Sequence, residues 1–212
     1  MRNNYGFSII ELLVVLVVVG VLAAMAVFAA ANLWKYDTDN QARKIIDLCD
    51  EARQKALNQR TTYRVEINKT RNRLLLINEN SADTSNDDLI VKSEPLVGGV
   101  TVAVKPDNVT DGPTMTSPVP QAQFRSSAYP LTSGDQKITM RFRRNGQVVD
   151  EGTDGIGTNS IVSGATIYLF ASREGQSSPT DIRAVTVLGT TGDTSLFSCK
   201  FDSYNRCLVW KK

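Results

Sequence analysis

The strongest constraint on this chain is an apolar run close to its start, residues 6–31, GFSIIELLVVLVVVGVLAAMAVFAAA. From residue 12 to residue 31 there is no charged side chain. A helix of about 20 residues rises about 30 Å, the thickness of a bilayer's hydrocarbon core. A secretory signal has a longer basic head and an apolar core of only about 7–15 residues. Here six residues, MRNNYG, precede the run, and their one charge is Arg2. Glu11 is the single carboxylate in the segment. At a helix centre such a group costs about 2.5–3.5 kcal/mol, so it needs the headgroup region, a partner or a task.

The rest of the sequence narrows the chemistry. The chain has 212 residues, room for one membrane helix and one sizeable domain. It contains no histidine. Ser-His-Asp and Cys-His catalysis and histidine-ligated zinc are therefore excluded, and no nucleophile constellation replaces them. Nothing points to an enzyme, a cofactor or a metal. A net charge of +2 gives no strong field for nucleic acid.

Beyond the apolar run the helical period continues to about Gln59. Ala42, Ile45, Cys49, Ala52 and Ala56 recur at alternating spacings of three and four, while Arg43, Lys44, Asp47, Asp50, Glu51, Arg53 and Lys55 fill the other faces. That pattern predicts an amphipathic helix laid on a core, with Cys49 as a small core residue. From Thr61 the period becomes that of strands. Residues 62–68 and 73–78 read as a hairpin, and 89–96 and 99–105 as further strands. Residues 106–136 carry five prolines and read as a long loop with at most short strands. In ITMRFRRNGQVVD (138–150) the pair Asn145-Gly146 between alternating arms is the clearest hairpin signal of the chain. Strands over 164–172, 181–189, 194–201 and 206–212 complete a β-rich C-terminal half. The fold class expected is α+β.

Two further segments read as structural. In DEGTDGIGTNS (150–160) Gly152 and Ile161 stand where a calcium loop needs carboxylates, so the segment reads as a turn. Arg141, Arg143 and Arg144 surround Phe142. Residues 141 and 143 share one strand face, which reads as a solvated surface.

The segment GFSIIELLVVLVVVGVLAA resembles the class III signal of type IV pilins and type II secretion pseudopilins. The resemblance implies cleavage by a prepilin peptidase between Gly6 and Phe7 and N-methylation of Phe7. It also implies a role for Glu11 in assembly, opposite the amine of Phe7 on its own or a neighbouring chain. Glu11 lies four residues from that amine, near the positive end of the helix dipole. The expected organisation is a leader over 1–6, the membrane half of one long helix over 7–33, its amphipathic half over 34–60, and a β-rich domain over 61–212. The expected location is the bacterial inner membrane, with the C-terminal domain periplasmic and the chain able to enter a filament. The partners implied are other pilins or pseudopilins, the prepilin peptidase and an assembly platform. In that compartment Cys199 and Cys207, eight apart, are expected to form a disulfide, with Cys49 free.

Short motifs carry a narrower resemblance. MRFRRNGQ, IRAVTVLGTTG and EARQKALNQ are similar to segments of the GspH/FimT branch of minor pilins and pseudopilins. No proline precedes Pro95, whereas many major pilins carry one in the membrane half, which favours a minor subunit. The alternative is a pilin-like tip that captures DNA or a surface. Some members of this branch follow the late strand with Gly-Arg-x-Arg, but here Gly192 precedes Asp193-Thr194-Ser195. The motif's absence argues against nucleic acid as a partner.

Overall fold

A computed structural model describes residues 9–80, 87–103, 105–113, 119–153, 156–172 and 179–212; of 26–36, 103 and 208 only the backbone is described. The chain divides into two compact units after Tyr36. The helix α1 runs over Ile9–Gln59, 51 residues. Its end coincides with the last residue of the predicted helical period. Arg60 then takes the left-handed conformation, φ 55°, that closes many helices and that glycine adopts more readily.

In the first unit, every described side chain from Ile9 to Met25 is exposed. Among the described residues no helix is long and apolar enough to cross a membrane. The rest of the expected membrane half, residues 7–8 and the side chains of 26–33, lies outside the described set.

The second unit holds two antiparallel sheets. The first joins β1 (Thr62–Asn68), β2 (Arg73–Glu79), β3 (Leu89–Pro95), β5 (Arg125–Ser126), β6 (Gln136–Phe142) and β7 (Val148–Val149). Its order is β3-β2-β1-β6-β5, with β7 also on β6. The second joins β4 (Val100–Ala103), β8 (Ala165–Ala171), β9 (Ile182–Val187), β10 (Thr194–Phe201) and β11 (Cys207–Lys211), in the order β11-β10-β9-β8-β4. The expected 62–68/73–78 hairpin forms with Thr62 opposite Glu79 and Asn68 opposite Arg73.

One core unites helix and sheets. Ala42, Ile45, Leu48, Cys49, Ala52 and Ala56 lie fully buried along one face of α1. They pack with Tyr63, Val65 and Ile67 of β1, Met140 and Phe142 of β6, Ile167 and Leu169 of β8, and Val185 and Val187 of β9. Strand β8 reads ATIYLFA with almost no alternation because both its faces are covered. Ile167 and Leu169 face the main core, whereas Tyr168 and Phe170 join Val109, Ile182, Ala184, Phe197 and Cys207 in a second cluster.

The charged side of the helix is tied down as well. Asp39 accepts from Arg183 at 2.6 Å, Asp50 from Thr194 at 2.9 Å and Glu51 from Lys92 at 3.2 Å. Arg53 pairs with Asp193 at 2.8 Å.

Candidate functional site

Gly6 and Phe7, the residues expected to be processed, lie outside the described residues. Glu11 lies in the first turn of α1 as described, on an exposed stretch whose apolar side chains are half or more uncovered. Among the described residues it has no ion-pair partner. The positive end of the helix favours a carboxylate there. A contiguous apolar surface of this length marks a segment that lipid or protein covers.

The two turns singled out by the narrower resemblance meet in space. Residues 142–146 close the β6–β7 turn, where Gly146 has φ 83° and donates to Arg143 O at 2.8 Å. Val148 N donates to Gly189 O at 2.8 Å, which joins this turn to the end of β9. A Cβ on Gly192, itself at φ 70°, would stand 2.7 Å from Gly146 O. Asp193 occupies the place where the Gly-Arg-x-Arg motif has its first arginine, and its carboxylate is held by Arg53 of the helix.

The expected solvated face at Arg141 is corrected by the structure. Arg141 is 4% exposed and donates through Nε and Nη2 to Glu79 at 2.6–3.1 Å. It belongs to a buried ionic layer on the face of the first sheet that points away from α1. In β1 the alternation puts Tyr63, Val65 and Ile67 on the helix side and Arg64, Glu66 and Asn68 on this one. Arg64 reaches Glu66, Glu79 and Asp88 at 2.7, 2.6 and 2.8 Å. Glu66 Oε1 also accepts from Thr132 at 3.2 Å and from Lys137 Nζ. The lid is the segment 127–135. Its Tyr129 ring lies 3.8 Å from the Arg64 guanidinium carbon and 4.5 Å from Lys137 Nζ.

The pKa directions follow from this setting. Burial disfavours the charge on Arg64, but Glu66, Glu79 and Asp88 outweigh it and raise the guanidinium's pKa. For Lys137 burial wins over Glu66, so its pKa is lowered. Burial pushes up the Tyr129 hydroxyl and the Glu151 carboxyl. The described contacts satisfy most of these head groups within the layer, so it reads as scaffold. Its sequence signal was present: Arg64 and Glu66 alternate with apolar residues on β1, as Lys137 and Arg141 do on β6. The lid that buries them sits in the proline-rich stretch, where no period reveals it.

Arg143 and Arg144 part company with Arg141. They line a cleft of about 540 Å³ with Arg60, Thr61, Thr62 and Asn145. In the 150–160 loop Asp150 Oδ1 accepts the backbone N–H groups of Gly152 and Ile161, both at 3.0 Å, as a turn-forming carboxylate does. Asp154 lies outside the described residues. At the other end of the unit a disulfide joins Cys199 to Cys207, and Cys49 is free and buried. Trp210 Nε1 donates to Asp111 O at 2.8 Å, so the last strand is anchored on both sides.

Compared with known proteins, residues 1–27 match the prokaryotic N-terminal methylation motif. This is the type IV pilin-type signal, the mark of a pilin-like or pseudopilin protein. No curated protein and no solved structure matches the chain.

Proposed function

We propose that this chain is a minor subunit of a type IV pilus-like or type II secretion filament, of the GspH/FimT branch, and not an enzyme. The observation that carries the reading is the methylation motif over residues 1–27. In this reading a prepilin peptidase removes residues 1–6, Phe7 becomes the N-methylated terminus, and the apolar residues that follow anchor the chain in the inner membrane. The exposed side chains of Ile9–Met25 supply the surface that lipid covers first and neighbouring subunits cover on assembly. Glu11 supplies the countercharge for a Phe7 amine. The second unit, on the periplasmic side, is the part a filament displays. The two linked glycine turns and the antiparallel sheets support the branch assignment.

Mass spectrometry of the N-terminal peptide from membrane-extracted protein tests the processing step. The expected terminus is methylated Phe7, and Gly6→Val blocks its formation. An intact Met1 terminus in a host with active prepilin peptidase overturns the reading. Glu11→Val is expected to insert at least as well as the parent, since a charge leaves the apolar segment. It should recover less of the partner pilins on co-purification. Full recovery and normal filaments would remove the pairing role from Glu11.

A further inference from the structure

Arg60, Arg143 and Arg144 line one cleft of about 540 Å³ at the end of α1 and the β6–β7 turn. The one carboxylate in its wall, Glu79, is already held by Arg64 and Arg141. Arg143 donates to the neutral Ser160 hydroxyl at 2.8 Å. Among the described residues, Arg60, Arg143 and Arg144 form no ion pair. Other basic residues of this unit are matched, among them Arg53 by Asp193, Lys92 by Glu94 and Arg206 by Asp202. In the same cleft wall Thr61 Oγ1 is buried and has no hydrogen-bond partner among the described residues. Arg60 is held there in a left-handed conformation, φ 55°, where glycine fits with less strain. Strain of this kind at a residue that faces a cleft points to a use for its side chain.

We propose that this cleft binds the carboxylates of an acidic segment of a partner protein. Guanidinium groups form paired hydrogen bonds with carboxylates. A duplex fits less well. Three cations release few counterions, and Arg64 and Arg141, which could extend a phosphate track, are neutralised by Glu79. Asp193 holds Arg53 in the same way.

The test is calorimetric titration of the full chain, in neutral maltoside micelles, with a hexaglutamate peptide at about 50 and about 150 mM salt. Expected is saturable binding that weakens with salt. It should fall by about tenfold or more in R143A/R144A and in R60G, with unfolding midpoints retained. Arg144→Glu, at an exposed side chain, repeats the test should the double variant fold poorly. Absence of saturable binding at the lower salt, or equal binding by the variants, overturns the proposal. So does at least tenfold tighter binding of a short DNA duplex, which would assign the cleft to nucleic acid. No other subunit enters the titration, so its failure leaves the assembly reading untouched.

Discussion

Arg60 and Arg64 stand four residues apart and carry the same side chain, yet their substitutions should differ in cost. Arg60 is exposed and its left-handed backbone costs on the order of 1 kcal/mol for a residue with a Cβ. Arg60→Gly relieves that strain and adds freedom to the unfolded chain, so the two effects nearly cancel. Thermal unfolding is expected within a few degrees of the parent. Arg64 is fully buried among three carboxylates. Removing one of them, as in Glu79→Ala, leaves Arg64 and Arg141 under-compensated and should cost about 3–5 kcal/mol in denaturant melts. A loss below about 1 kcal/mol would show that solvent reaches the layer. Asp135 gives the pH dependence. Burial would raise its carboxyl pKa, but hydrogen bonds from Asn68 and Arg71, at 2.8 and 2.6 Å, overcome this and lower it. A lowered native pKa stabilises the fold above the unfolded value near 3.9 and is lost as pH falls through the native one. Midpoints followed from pH 5 downward should therefore drop less in Asp135→Asn than in the parent, and equal slopes would contradict the assignment.

The last two strands offer the clearest test of an element. Strand β11 ends the strand order of its sheet and pairs with β10, through Cys199 opposite Trp210 and Lys200 opposite Val209, while Cys207 also bridges to Val109. The Cys199–Cys207 bond, across a separation of 8, closes the turn between them. Reduction should cost roughly 2–3 kcal/mol. Faster amide exchange should be confined to Cys207–Lys211 and the facing half of β10, while uniform acceleration would refute a local role. Most longer strands were legible from their sequence because apolar alternation, or its absence in β8, records which faces are covered. The two-residue strands β5 and β7 were not, since two residues carry no period. Arg141 was misread for a related reason. Alternation assigns a side chain to a face, but it does not say whether a lid such as 127–135 lies over that face.

At the scale of the whole molecule, the helix of the second unit cannot be separated from its sheets. A chain beginning at Asp37 keeps Ala42, Ile45, Leu48, Cys49 and Ala52, all buried in the main core. It should unfold in one cooperative step. A chain beginning at Arg53 loses all five. Single large-to-small core changes already cost about 2–5 kcal/mol, against a total stability of about 5–15 kcal/mol. That shorter chain should show no sigmoidal melt by circular dichroism, and a cooperative one would mean that the sheets are self-sufficient. The sequence made the helix, its core face and the N-terminal signal legible, because each is written in contiguous residues. The cleft of Arg60, Arg143 and Arg144 was hidden because pairing of β1 with β6 creates it from distant segments. The buried position of Cys49 has a bearing on biosynthesis. Strands β8 and β9, which complete the same core, follow more than a hundred residues later in the sequence. At about 5–20 residues per second, the nascent helix waits on the order of ten seconds for them. During that wait the thiol is reactive and ahead of both of its potential mispairing partners. Once the core closes, burial raises its pKa and withdraws it from exchange. Correct pairing of Cys199 with Cys207 therefore depends on order in time: the helix must be docked before the final strands meet an oxidant.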